Sequence, residues 1–142
     1  MNAAKHLLAI MLPFMMMTAC STLKQIEDVN IGVDFDKSAR NYIQLVRWHE
    51  IESAASTYAT PSILEKYRKR SAAAADVQIT DYRVQTMECD PVKGEGKAKV
   101  VWEYYRPPST RVHTVEDFQK WSYEGENGRR MWRLQTLLPE FK

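Results

Sequence analysis

The chain has 142 residues, 44% of them apolar and 11% aromatic, with 20 Lys plus Arg against 18 Asp plus Glu. That apolar content excludes an intrinsically disordered chain. The near-balance of charge excludes a surface organised around nucleic acid or another polyanion, and the length admits one domain of the usual ~100–200 residues.

Residues 1–20 read MNAAKHLLAIMLPFMMMTAC. Lys5 and His6 give a short basic start, and Leu7 to Met17 form an apolar run broken only by Pro13. Thr18 and Ala19 are small residues placed before a cysteine, the layout of a secretory signal too short to span a bilayer as a helix. The run Met17-Thr18-Ala19-Cys20 resembles the lipobox of bacterial lipoprotein precursors, with Met17 where that family usually has Leu. The resemblance implies cleavage between Ala19 and Cys20, diacylglycerol on the Cys20 sulfur and an acyl chain such as palmitate on the new amine. Each buried methylene contributes about 0.8 kcal/mol, so two or three chains hold the protein to a membrane with on the order of 20–30 kcal/mol. Ser21, rather than Asp, follows the cysteine, which in Gram-negative lipoproteins implies the outer membrane, facing the periplasm; the inner membrane is the alternative address.

With Cys20 lipidated, Cys89 has no partner in the chain, and the domain is expected to fold without a disulfide. Residues 21–35 are polar with scattered Ile, Val and Phe, and read as a tether with at most a short extended piece. The organisation expected is thus a leader at 1–19, a lipidated cysteine and tether at 20–35, and one domain at 36–142.

Asp36 is placed to cap a helix whose stripe is Tyr42, Ile43 and Val46. Continuing that stripe puts His49, Glu50, Ser53 and Thr57 in the core, whereas Ile51, Ala54, Ala55 and Tyr58 form a second stripe rotated by about 100°. The helix must bend or break near His49. Thr60-Pro61 starts another helix, running to about Ala75 with Ile63, Leu64 and Tyr67 inward. The period then changes from 3.6 to 2, giving strands near 77–89, 97–106, 110–124 and 129–138. Ala98, Val100, Trp102 and Tyr104 share one face of the second strand; Trp132, Leu134 and Leu138 share one face of the last. The first strand changes phase between Ile79 and Tyr82, which a bulge near Asp81 reconciles. Short links, Asn127-Gly128 among them, make neighbouring strands antiparallel. The class is α+β: helices first, then a meander whose apolar face they cover.

Lys120-Trp121-Ser122-Tyr123-Glu124, a turn, and Met131-Trp132-Arg133-Leu134 together resemble the ending common in bacterial members of the nuclear transport factor 2-like superfamily. The resemblance implies a curved sheet wrapped around a helix into a cone; a cystatin-like arrangement is the alternative. Superfamily members with open cones bind apolar ligands there, which implies a ligand pocket at Tyr42, Val46, Trp102, Tyr104 and Trp132. A few are isomerases, which need a carboxylate base and a phenol converging in a dry pocket. Candidates of those types are Asp81 at the bulge, Glu50 or His49 at the helix break, and Tyr42 as donor. His113, expected on the outward strand face, lacks a second ligand at metal spacing; no metal or cofactor is expected. The cluster Lys66-Tyr67-Arg68-Lys69-Arg70 reads as the polar side of a helix, with anionic lipid or wall polymer as its other use. The function expected is a lipid-anchored, non-enzymatic binding or accessory module whose partner is an envelope protein or an apolar small molecule. The alternatives are a small isomerase- or hydrolase-like enzyme and a structural, oligomeric lipoprotein.

Overall fold

A computed structural model describes the backbone of residues 3–125 and 128–142, with side chains from Ser21 onward. The side chains of Ala19 and Cys20, the expected cleavage point and lipidation site, and the turn residue Asn127 lie outside what is so described.

Helix α1 spans Ala3–Arg47. It carries straight through residues 21–35, where a tether is expected, and Ile31 and Phe35 are buried in the core. Asp36 is therefore mid-helix, bonded to Arg40 one turn on at 2.8 Å, and caps nothing. The reason lies in Ile31, Phe35, Ala39, Tyr42 and Val46, which continue one buried stripe at spacings of three and four.

The break comes where the stripe rotates. His49 adopts φ 64°, the left-handed conformation that ends many helices. Glu50 N donates to Leu45 O at 2.8 Å and His49 N to Val46 O at 3.1 Å, closing a Schellman turn. Helix α2, Ile51–Tyr58, then buries Ile51, Ala54, Ala55 and Tyr58. Helix α3, Pro61–Ala73, follows from Thr60 and buries Tyr67, with Ile63 and Leu64 half-buried. Thr60 does not cap α3 with its hydroxyl; instead its N–H donates to Leu134 O at 3.0 Å, fastening the α2–α3 junction to the sheet.

Strands β1 (Gln78–Asp90), β2 (Glu95–Tyr105), β3 (His113–Glu124) and β4 (Met131–Leu134) form one antiparallel sheet in the order β1-β2-β3-β4. The expected irregularity at Asp81 is present, and a second lies between Val84 and Thr86. Together they keep Ile79, Tyr82, Val84, Met87 and Cys89 opposite the inward residues of β2. The first bulge is held from the helix side: the Arg47 guanidinium donates to Ile79 O at 2.6 Å and Thr80 O at 2.7 Å, satisfying carbonyls near the disturbed ladder. β4 is shorter than its apolar pattern. Beyond it Leu138 and Phe141 stay buried as the chain crosses under the sheet, tied by Arg70 to Leu138 O at 2.9 Å and by Arg106 to Phe141 O at 2.8 Å. The three helices thus pack against one face of a four-stranded meander, and the core lies between them.

Candidate functional site

The inward face of β3 holds what β2 lacks. Opposite Tyr104, Trp102, Val100, Ala98 and Gly96 stand His113, Val115, Asp117, Gln119 and Trp121. Asp117 and Gln119 are each 2% exposed. Trp102 Nε1 donates to Asp117 Oδ2 at 3.2 Å, and Gln119 Nε2 donates to the same oxygen at 2.7 Å. Trp121 Nε1 in turn donates to Gln119 Oε1 at 3.2 Å. The Tyr42 and Tyr67 hydroxyls, from α1 and α3, meet at 2.7 Å. Trp121 joins the two groups, its ring 5.6 Å from that of Tyr42.

Burial raises the Asp117 carboxyl to about 6, although its bonds from Gln119 and Trp102 pull the other way. Tyr42 and Tyr67 are both pushed up by burial, with the Asp117 charge adding to each. Two acid groups that resist ionisation thus lie within electrostatic reach of one buried carboxylate. Chemically the arrangement can hold a proton in a dry site. Acting on a substrate would need an approach to Asp117, which is 2% exposed with both of its donors, Trp102 and Gln119, buried as well.

The sequence brings Tyr42 to this cluster but not the carboxylates expected beside it. Asp81 is exposed at the bulge and accepts the Tyr82 N–H at 2.8 Å. Glu50 and His49 are exposed at the helix break. The five residues expected to line a pocket are core: Tyr42 1%, Val46 0%, Trp102 0%, Tyr104 3% and Trp132 1% exposed. Tyr104 donates its hydroxyl proton to Lys142 O at 2.7 Å, and Trp132 Nε1 donates to Ile31 O at 3.1 Å. Trp132 borders a surface hollow of 260 Å³ shared with Asp34, Tyr123 and Arg130. His113 is a correction. It faces inward, opposite Tyr104, but at the sheet end where it is exposed. Among the described residues no three His, Cys, Asp or Glu converge as metal ligands.

The basic cluster is largely neutralised. Tyr67 is buried, Arg68 pairs with Glu52 at 2.8 Å, and Arg70 pairs with Glu140 at 3.2 Å. A shallow hollow of 440 Å³ lies between Lys66, Lys69, Arg70 and Leu137. Cys89 is a half-buried free thiol whose pKa burial raises, with the Asp90 charge adding to it, so it is a poor nucleophile.

Asp117, Gln119 and Tyr67 as a set escaped the sequence reading. Counting back in twos from Trp121 points to the first two, since strand parity places both on the Trp face. The sequence matches no protein-family model and no curated protein.

Proposed function

We propose that this chain is a lipid-anchored envelope protein, held at the outer membrane through acyl chains on Cys20 and facing the periplasm. Its domain is a nuclear transport factor 2-like module that works by binding an envelope partner rather than by chemistry in its interior. The leader and its Met17-Thr18-Ala19-Cys20 ending support the anchor. Among the described residues no helix is long and apolar enough to cross a membrane. Helices followed by a bulged antiparallel meander support the fold assignment.

The observation that carries the binding reading is the filled interior. The aromatic side chains that would line an open cone touch one another instead, as Phe35 and Trp132 do at 4.9 Å and Tyr104 and Phe141 at 5.0 Å. An apolar ligand of ordinary size needs ~300 Å³ of cavity, so recognition falls to the surface. A second reading, acid–base catalysis, draws on Asp117 beside Tyr42, but it requires those rings to part.

The helical course of residues 21–30 sets the domain only about 15 Å of helix from Cys20, so the module works close to the bilayer. The test is Cys20→Ser in the full chain. The expected outcome is an uncut precursor without hydrocarbon mass, read by intact-mass spectrometry of membrane and soluble fractions. Normal processing and lipid partition of that variant would overturn the anchor.

A further inference from the structure

Helix α1 carries a second apolar stripe that the domain does not use. Leu23, Ile26 and Val33 are 68%, 54% and 48% exposed, and Val29 between them is 64% exposed. Leu23, Ile26 and Val33 lie on the side of the helix away from the buried Ile31, Phe35 and Ala39. With Asn30 these three fall at intervals of three, four and three, the a and d positions of a coiled-coil heptad, and Val29 flanks the seam at the adjoining g position.

We propose that α1 pairs in parallel with α1 of a second copy along Leu23, Ile26, Asn30 and Val33, an inference that rests on the anchor at Cys20. The anchor supplies the orientation: two chains fixed in one leaflet present these residues level with each other and pointing the same way. The seam is polar at one inner position, Asn30, as in parallel pairs whose register a buried Asn sets. Lys37 continues the spacing and is exposed; in a parallel pair it comes beside Asp36 of the other copy, whose carboxylate also holds Arg40 of its own helix.

The bilayer surface is a poorer occupant of this stripe. Helices that lie in a membrane interface are flanked by Lys and Arg. Residues 21–36 carry Glu27, Asp28, Asp34 and Asp36 against Lys24 alone. The helix needs no partner to form, because it is continuous with turns already packed on the sheet. About two heptads give a weak pair in free solution, and confinement in one membrane raises the effective concentration that makes it form.

The experiment uses the full chain in its own membranes, with Cys89→Ser to remove the free thiol. Single substitutions Ile26→Cys and Val33→Cys are compared with Lys24→Cys, an exposed position off the seam, after mild oxidation. The expected result is about tenfold more covalent dimer at each seam position than at Lys24→Cys. Adding Leu23→Asp to Ile26→Cys should return the yield to the Lys24→Cys level. Equal yields at all three positions, or no dimer at the seam, overturn the pairing. So does quenching of a fluorophore on Ile26→Cys by nitroxide lipid, which would give the stripe to the bilayer. Intact mass of the same samples reads the anchor separately. Acylated protein without seam dimer sinks the pair alone, and unacylated protein sinks the anchor whatever the dimer yield.

Discussion

Strands β2 and β3 lie side by side with ten residues of each in register, yet they fill the core differently. The inward residues of β2 are apolar or aromatic throughout, whereas β3 brings Asp117 and Gln119 to the same depth. The two are complementary. Trp102 and Trp121 contribute large apolar area but carry an N–H each, and a buried indole N–H needs an acceptor. β3 supplies one for each: Asp117 for Trp102 and Gln119 for Trp121. The polar residues of one strand are thus the counterpart of the indoles packed around them.

The largest expected effect comes from breaking the partnership on the β2 side. Trp102→Ala removes a fully buried indole and one donor to Asp117, and should cost about 4 kcal/mol in urea unfolding at pH 7. A loss below about 1 kcal/mol would mean that the strand interiors are not coupled as described.

Next is the β3 side, read through pH. The folded Asp117 titrates at about 6, above its ordinary 3.8. Its contribution to stability is therefore full below about pH 4 and is lost as pH rises through about 6, a fall of about 3 kcal/mol that levels off above about 7. Asp117→Asn keeps an acceptor for Trp102 while removing the titration. It should be more stable than the parent at pH 8 and nearly equal at pH 4. An unchanged difference across that range, from denaturant midpoints, would remove Asp117 from the pH response.

The smallest sharpens the boundary where β2 meets α1. Gly96 lies under the Phe35 ring, and a Cβ there would intrude on its carbons. Gly96→Ala should cost about 2 kcal/mol, and Phe35→Leu in the same chain should recover part of it. Additive losses in that double-mutant cycle would deny the contact.

Much of this architecture is legible in residue order. The rotated stripe at Ile51 and Ala54 announces the break that His49 makes, and the phase change between Ile79 and Tyr82 announces the first bulge. Residues 21–35 conceal their helix because their two core residues, Ile31 and Phe35, stand among charges and exposed apolar residues that mask the stripe. Only its continuation through Ala39 and Tyr42 reveals the helix. The second bulge is announced more faintly: Val84 and Met87 stand three apart, but the polar pair Gln85-Thr86 between them blurs the change of phase. Asp117 is harder still. A carboxylate on a strand reads as solvent-facing until the indoles that demand its oxygen are placed beside it, and that placement is a tertiary fact. The filled core is of the same kind, since large aromatic residues at strand spacing serve equally as pocket walls or as packing.

One consequence of the indole contacts is spectroscopic. Of four tryptophans, Trp102, Trp121 and Trp132 are buried with their N–H groups engaged, and one of those acceptors is itself ionisable. The near-ultraviolet dichroism and emission of the native chain therefore carry a built-in indicator of the Asp117 charge state, visible without any attached dye.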